Sequence, residues 1–174
     1  PSLRASGVDF DLRRVQPYSG YETYDFDVPV GTVGDCYDRY LVRMEEMRQS
    51  VRIARQAVER LASVGGDVIV EDRRFVLPPK ERVQKSMEEL IFQFKIVTDL
   101  RMPRGEAYQA IESSKGELGF YLVSDGSSHP VRAHIRAPGL MNVQVLPMLA
   151  RGRLFSDMVA LIGSMDFVMG EVDR

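Results

Sequence analysis

Tryptophan is absent from the 174-residue sequence, cysteine occurs once and histidine twice. The single cysteine, Cys36, forms no internal disulfide, so a reducing compartment is the default. It has no cysteine partner for an iron–sulfur or structural zinc site, and a small buried residue is its simplest reading. His129 and His134 lie five apart on an expected strand and so fall on opposite faces. A polar face shared with Arg132 and Arg136 is the simpler reading for His134. Charge of one sign is missing too: 23 Lys+Arg against 25 Asp+Glu leave a net charge of −2. That balance lacks the basic excess of a nucleic-acid binder. No apolar run approaches the roughly 20 residues needed to cross a bilayer, so a membrane would be met through a partner. GTVG at 31–34 has no strand before it and lacks the third glycine of a dinucleotide loop. Nucleophile elbow and Ser–His–Asp set are both missing. The residues alone therefore describe no self-contained enzyme.

What is present is a globular chain, 44% hydrophobic, of one domain or part of a larger one. Its first residues, Pro1-Ser2-Leu3-Arg4, are neither an initiator nor a signal peptide, and the chain is expected to be cut from something longer. Residues 1–33 mix Asp, aromatics, Gly and Pro, which predicts loops with short extended pieces. Residues 34–100 read as a pair of long helices. Thr32 or Asp35 caps the first, and Asp35 and Asp38 suit its positive end. Tyr37, Leu41, Met44, Met47, Val51, Ala54, Val58 and Leu61 form one apolar stripe, most simply a packing face, and Gly65-Gly66 stops it. DVIVEDRRFVL, 67–77, predicts two short strands. Pro78-Pro79 opens the second helix, with Val83, Met87, Leu90, Phe94 and Val97 as its stripe. A short connection favours an antiparallel pair. Residues 104–137 switch to period two and predict a β-meander, with DGSS as a turn. In 138–174, residues 139–150 read as irregular. Leu154, Met158, Leu161 and Ile162 form a last helix ending at Gly163, followed by a buried tail. The fold class is α+β.

Two places stand out. Lys115-Gly116-Glu117, with Glu112 just before, is a turn between strands, either a solvated loop or a functional one. The tail MDFVMGEVDR sets Asp166, Glu171 and Asp173 among Met165, Phe167, Val168, Met169 and Val172. It is either a strand with outward acids or a buried segment whose acids are paired or protonated, and the latter would suit proton handling.

GDCYDRYLVRMEEMRQS, ESSKGELGFYLVSDGSSHPVRAHIRAPG and IGSMDFVMGEVDR together resemble the hydrogenase-like D subunits of respiratory complex I, the proton-pumping NADH:quinone oxidoreductase. The likeness runs from about Leu3 to Arg174 and covers the C-terminal portion of those subunits. It implies one hydrogenase-like domain, similar to the large subunit of nickel–iron hydrogenases. Ser114-Lys115-Gly116 stands where those hydrogenases have Pro-Arg-Gly. Asp166-Phe167-Val168-Met169-Gly170 stands where they have a nickel-binding Cys-x-x-Cys. Nickel needs soft thiolates, so the old metal cavity is expected to hold no metal. The resemblance implies that this cavity is the inner end of a quinone tunnel, beside the terminal iron–sulfur cluster of the neighbouring B subunit. No cofactor is then bound by this chain; quinone is the substrate, and NADH, flavin and iron–sulfur clusters sit in partner subunits. The B and C subunits, and the membrane-embedded H subunit near the quinone entry, are the implied partners. The implied location is peripheral, on the cytoplasmic face of a bacterial inner membrane or the matrix side in mitochondria. Asp166, Val168, Glu171 and Lys115 are carried over as quinone-chamber residues and Arg174 as an ion-paired anchor. The rival readings are an assembly scaffold and a membrane-bound nickel–iron hydrogenase relative. The missing tail cysteines oppose the second.

Overall fold

Asp38 fixes the point where an irregular segment becomes a long helix. Its carboxylate accepts from the backbone N–H groups of Thr32 at 2.9 Å, Val33 at 2.6 Å and Gly34 at 3.0 Å. Those bonds, Gly34's first among them, hold its pKa below the usual carboxylate range. Its own N–H donates to Asp35 Oδ1 at 2.8 Å, so Asp35 rather than Thr32 supplies the cap. The computed structural model of this chain describes residues 1–70, 72–98 and 100–173.

Three short elements come first: helix α1 (Ser2–Ala5), helix α2 (Leu12–Val15) and a 3₁₀ turn (Tyr21–Thr23). Asp11 caps α2, its side chain accepting from Arg13 N–H. Helix α3 (Cys36–Val64) follows, then α4 (Lys80–Val83) and α5 (Met87–Thr98). Strands β1 (Gly105–Ser113), β2 (Gly116–Ser124) and β3 (Arg132–Arg136) form one sheet in that order. Helices α6 (Pro138–Ala150), α7 (Phe155–Met165) and α8 (Met169–Val172) close the chain. The fold is thus α+β.

The chain divides into two compact units. The first comprises Pro1–Leu61, Tyr108–Phe120 and Ile135–Arg174; the second comprises Ala62–Ala107 and Tyr121–His134. The buried hydrophobic core among the described residues, Ala5, Leu12, Phe26, Val42, Ala137 and Met165, lies in the first. Gly31 belongs to this packing. A Cβ there would come within 2.5 Å of the Ala5 carbonyl oxygen and 3.0 Å of Asp38 Oδ2. Gly31→Ala is expected to destabilise the fold by about 1–3 kcal/mol through this overlap with backbone, read as a lower urea midpoint.

Several expectations are corrected. Residues 67–77 form no strand among those described (Glu71 lies outside them): Val68 is 95% exposed and meets no neighbouring strand. The second helix is broken, because α4 stops before Ser86, whose carbonyl and hydroxyl start α5. Residues 139–150 are helical, not irregular. Pro138 occupies the first turn, where its missing N–H costs nothing, and Pro147 sits near the far end. Gly163 does not end α7; Asp166 does, in the left-handed conformation at φ 52°, ψ 45°. The tail is a short helix rather than a strand. Among its described residues Met165 alone is buried, while Val168 is 52% exposed. Cys36 is half-buried and accepts from Arg39 Nη2 at 3.2 Å. His129 lies in the loop before β3, so the two histidines do not share a strand.

The apolar stripe of α3 faces outward over most of its length; Tyr37, Leu41, Met47, Val51, Val58 and Leu61 are all exposed. The opposite, polar face carries the packing. Asp25 and Asp27 N–H groups donate to Gln56 and Gln49 at 2.9 and 3.1 Å, and Arg52 pairs with both aspartates.

Candidate functional site

Three elements of the first unit meet at one cleft. Lys115 sits in the two-residue turn between β1 and β2, Asp166 at the C-cap of α7, and Arg43 on α3. The Lys115 ammonium donates to Asp166 Oδ2. Arg43 Nε approaches the same oxygen at 3.7 Å, within ion-pair range but beyond a hydrogen bond. That Nε is buried and has no hydrogen-bond partner among the described residues. A buried donor left unsatisfied costs about 1–3 kcal/mol, so its position calls for an explanation.

Asp166, Arg43, Met47, Ser50 and Ser113 help line a cleft of about 360 Å³. Lys115, Gly116, Pro138 and Asn142 help line a smaller one of about 170 Å³. Arg4 and Glu112 line both. They belong to an ion network reaching the core. Arg4, 3% exposed, holds Glu46 through Nε at 2.9 Å, Glu112 at 3.0 Å and Asp11 at 3.3 Å. Arg13 pairs with Asp11 at 2.6 Å. Glu112 also accepts from the Leu12 N–H at 3.2 Å, and its own N–H donates to Tyr18 Oη at 2.8 Å. Burial alone would lower the Arg4 pKa, but Glu46 and Glu112 outweigh it and raise it. Burial would likewise raise Asp11, yet the Arg13 hydrogen bonds and charge, with Arg4 beyond, hold it low.

The sign of the Asp11 shift sets a pH dependence. A carboxylate whose folded pKa is depressed adds stability above its unfolded value, and that stability is lost as pH falls through the folded value. With an unfolded value near ~3.9, the urea midpoint is expected to stay level from about pH 7 to about pH 5 and to fall below about pH 4. Asp11→Asn should flatten that acid limb; an unchanged limb would contradict the assignment.

The five residues expected from the sequence do not share one place. Lys115 and Asp166 meet. Val168 is the N-cap of α8 and lines neither cleft. Glu171 reaches back to α6, where Oε1 accepts from the Gly139 N–H at 3.0 Å. A Cβ on Gly139 would lie 2.9 Å from Glu171 Oε2, so the glycine is what admits the carboxylate. Glu171 thus ties the tail to the start of α6. Arg174 lies outside the described residues. Arg43, Arg4 and Glu46 escape a reading of the sequence. Arg43 and Glu46 lie on α3 and Arg4 on α1, and each reads as an ordinary solvated charge until something packs on it. Among the described residues no group of three or more His, Cys, Asp or Glu is placed to hold a metal ion. No described helix is long and apolar enough to cross a membrane.

The sequence itself has known relatives. The family described as the respiratory-chain NADH dehydrogenase 49 kDa subunit matches residues 1–174, and the chain belongs to it. Similar relatives are named as the D subunit of NADH-quinone oxidoreductase. One from Herpetosiphon aurantiacus is 58% identical over 175 residues, 99% of this chain and 42% of the relative. One from Rhodospirillum centenum is 53% identical over 175 residues, 100% of this chain and 44% of its own length. One from Opitutus terrae is 57% identical over 176 residues, 100% and 41%. The chain therefore spans about two-fifths of the length of the curated relatives it matches.

Proposed function

We propose that this chain forms one wall of the quinone-reduction chamber of a proton-translocating NADH:quinone oxidoreductase. The observation that carries the reading is the pairing of Asp166 with both Lys115 and Arg43: Asp166 and Arg43 help line a cleft of about 360 Å³, a size usual for small-molecule sites, and Lys115 helps line the smaller cleft of about 170 Å³. Reduction of a quinone to a quinol takes two electrons and two protons. NADH, flavin and iron–sulfur clusters, all held by partner subunits, supply the electrons, the last cluster lying in the B subunit. This chain supplies donors, charge and shape. The Lys115 ammonium donates to a quinone oxygen as charge develops there, and Asp166 balances the ammonium. Glu171 and Val168 act one step back, holding the tail against α6. The B, C and H subunits are the neighbours in this reading, and the place is the cytoplasmic face of a bacterial inner membrane. The cavity corresponds to that of nickel–iron hydrogenases, without the tail thiolates that nickel requires.

A second reading is favoured by one observation. The apolar stripe of α3 is exposed, as are Phe94 on α5, Phe155 and Val159 on α7, and Met148 on α6. So much uncovered apolar surface fits a scaffold that packs on other polypeptide.

A photoreactive azido-quinone, irradiated with the assembled complex, separates the two. Labelling of peptides around Met47, Ser113 and Asp166, suppressed by excess unlabelled quinone, is expected from a chamber wall. Quinone-protected labelling confined to other parts of the complex would leave only the scaffold.

A further inference from the structure

We infer that Arg43 is a positioning residue for Asp166: a second counter-ion that holds the carboxylate when Lys115 turns its ammonium toward a ligand oxygen. This rests on the chamber reading above.

Both cations address a single oxygen. Lys115 is hydrogen-bonded to Asp166 Oδ2, and Arg43 Nε waits 3.7 Å from it. Arg43 makes no hydrogen bond among the described residues, although its Nε is shielded from water. The other charged groups at the cleft are already committed. Arg4 is shared by Glu46, Glu112 and Asp11, and Arg13 is held by Asp11. Asp166 is therefore the acid left for Arg43.

The backbone holds the two at this spacing. Asp166 is fixed in the left-handed conformation that ends α7, its N–H donating to the Ile162 carbonyl at 3.3 Å. One turn before Arg43 on α3, Arg39 Nε donates to Ser164 Oγ at 3.0 Å. That bond clamps α3 to the end of α7. A shift of under about 1 Å closes the gap to hydrogen-bond distance. Asp166 can thus keep a cation while Lys115 leaves. Without Arg43, departure of Lys115 would strand a carboxylate, so the ammonium would stay on Asp166 and bind ligand less well.

A double-mutant cycle in the assembled complex tests this, with a short-chain ubiquinone as substrate and NADH:ferricyanide activity as the reference for intact enzyme. Arg43→Gln is expected to raise the quinone KM about three- to tenfold with ferricyanide activity unchanged. Arg43→Lys, which keeps a cation, should restore most of it. In an Asp166→Asn background, Arg43→Gln should move KM by less than about twofold, because its partner charge is already gone. Equal effects of Arg43→Gln in both backgrounds, no effect in the wild-type background, or a parallel fall in ferricyanide activity would each overturn the inference. If Asp166→Asn itself leaves quinone kinetics untouched, the chamber reading has failed instead, and the inference goes with it.

Discussion

Arg4→Ala is expected to remove about 3–5 kcal/mol from the stability of the first unit, the range for breaking one partner out of a buried ionic network. The cost does not come from the attraction lost. It comes from what remains: Asp11 at 2% exposure and the Glu112 side chain at 7% would keep buried charge with less cation to meet it. Arg13 would still serve Asp11, but Glu112 would lose the guanidinium bonded to it. Loss should spread beyond one contact, because Arg4 joins the start of the chain to α3 through Glu46 and to β1 through Glu112. Urea denaturation followed by far-UV circular dichroism checks the size. A fall below about 1 kcal/mol would mean that water already solvates the network.

The second large effect is expected at Phe26, fully buried at 0% exposure and the largest such side chain among those described. Phe26→Ala should cost about 3–5 kcal/mol from lost transfer energy and the cavity left behind. The ring does more than fill space. The Arg13 guanidinium lies 4.8 Å from its centroid and Arg14 4.4 Å, while Tyr21 meets it edge-on at 6.4 Å. Cations over an aromatic face add attraction that an aliphatic side chain cannot supply. Phe26→Leu should therefore stay folded but lose roughly 1–2 kcal/mol, measured the same way. If leucine matches phenylalanine, the ring acts by volume alone.

Much of the fold is legible in the sequence because local rules and tertiary packing agree. Asp35 and Gly65 bracket α3 where a cap and a helix-breaking glycine belong, and the period-two run at 104–137 contains the three strands. The failures come from packing that sequence period does not encode. The stripe of α3 reads as its packing face, yet Asp25, Asp27 and Arg4 hold the polar side instead. Residues 67–77 carry two short apolar runs, Val68-Ile69-Val70 and Phe75-Val76-Leu77, that read as strands but form none among the described residues. Helix α6 is hidden because Gly139 and Pro147 look like breakers; one is there to admit Glu171 and the other falls near the end. At the site, the tail acids stand out for being set among apolar residues. The structure gives them different work: Asp166 is an ion-paired helix cap with a half-exposed side chain, and Glu171 receives the first turn of α6. Lys115 and Asp166, 51 residues apart, each stand out in the sequence; that they touch is not readable there.

This cleft is proposed to serve quinone rather than assembly. Asp166→Asn in the full subunit, within membranes, tests it most directly. NADH:quinone activity is compared with NADH:ferricyanide activity, which samples the flavin end and reports intact complex. Quinone activity is expected to fall about tenfold or more while ferricyanide activity holds, since only the reacting end loses its charge. A parallel fall in both activities would show that Asp166 holds the complex together, and unchanged quinone turnover would remove it from the site.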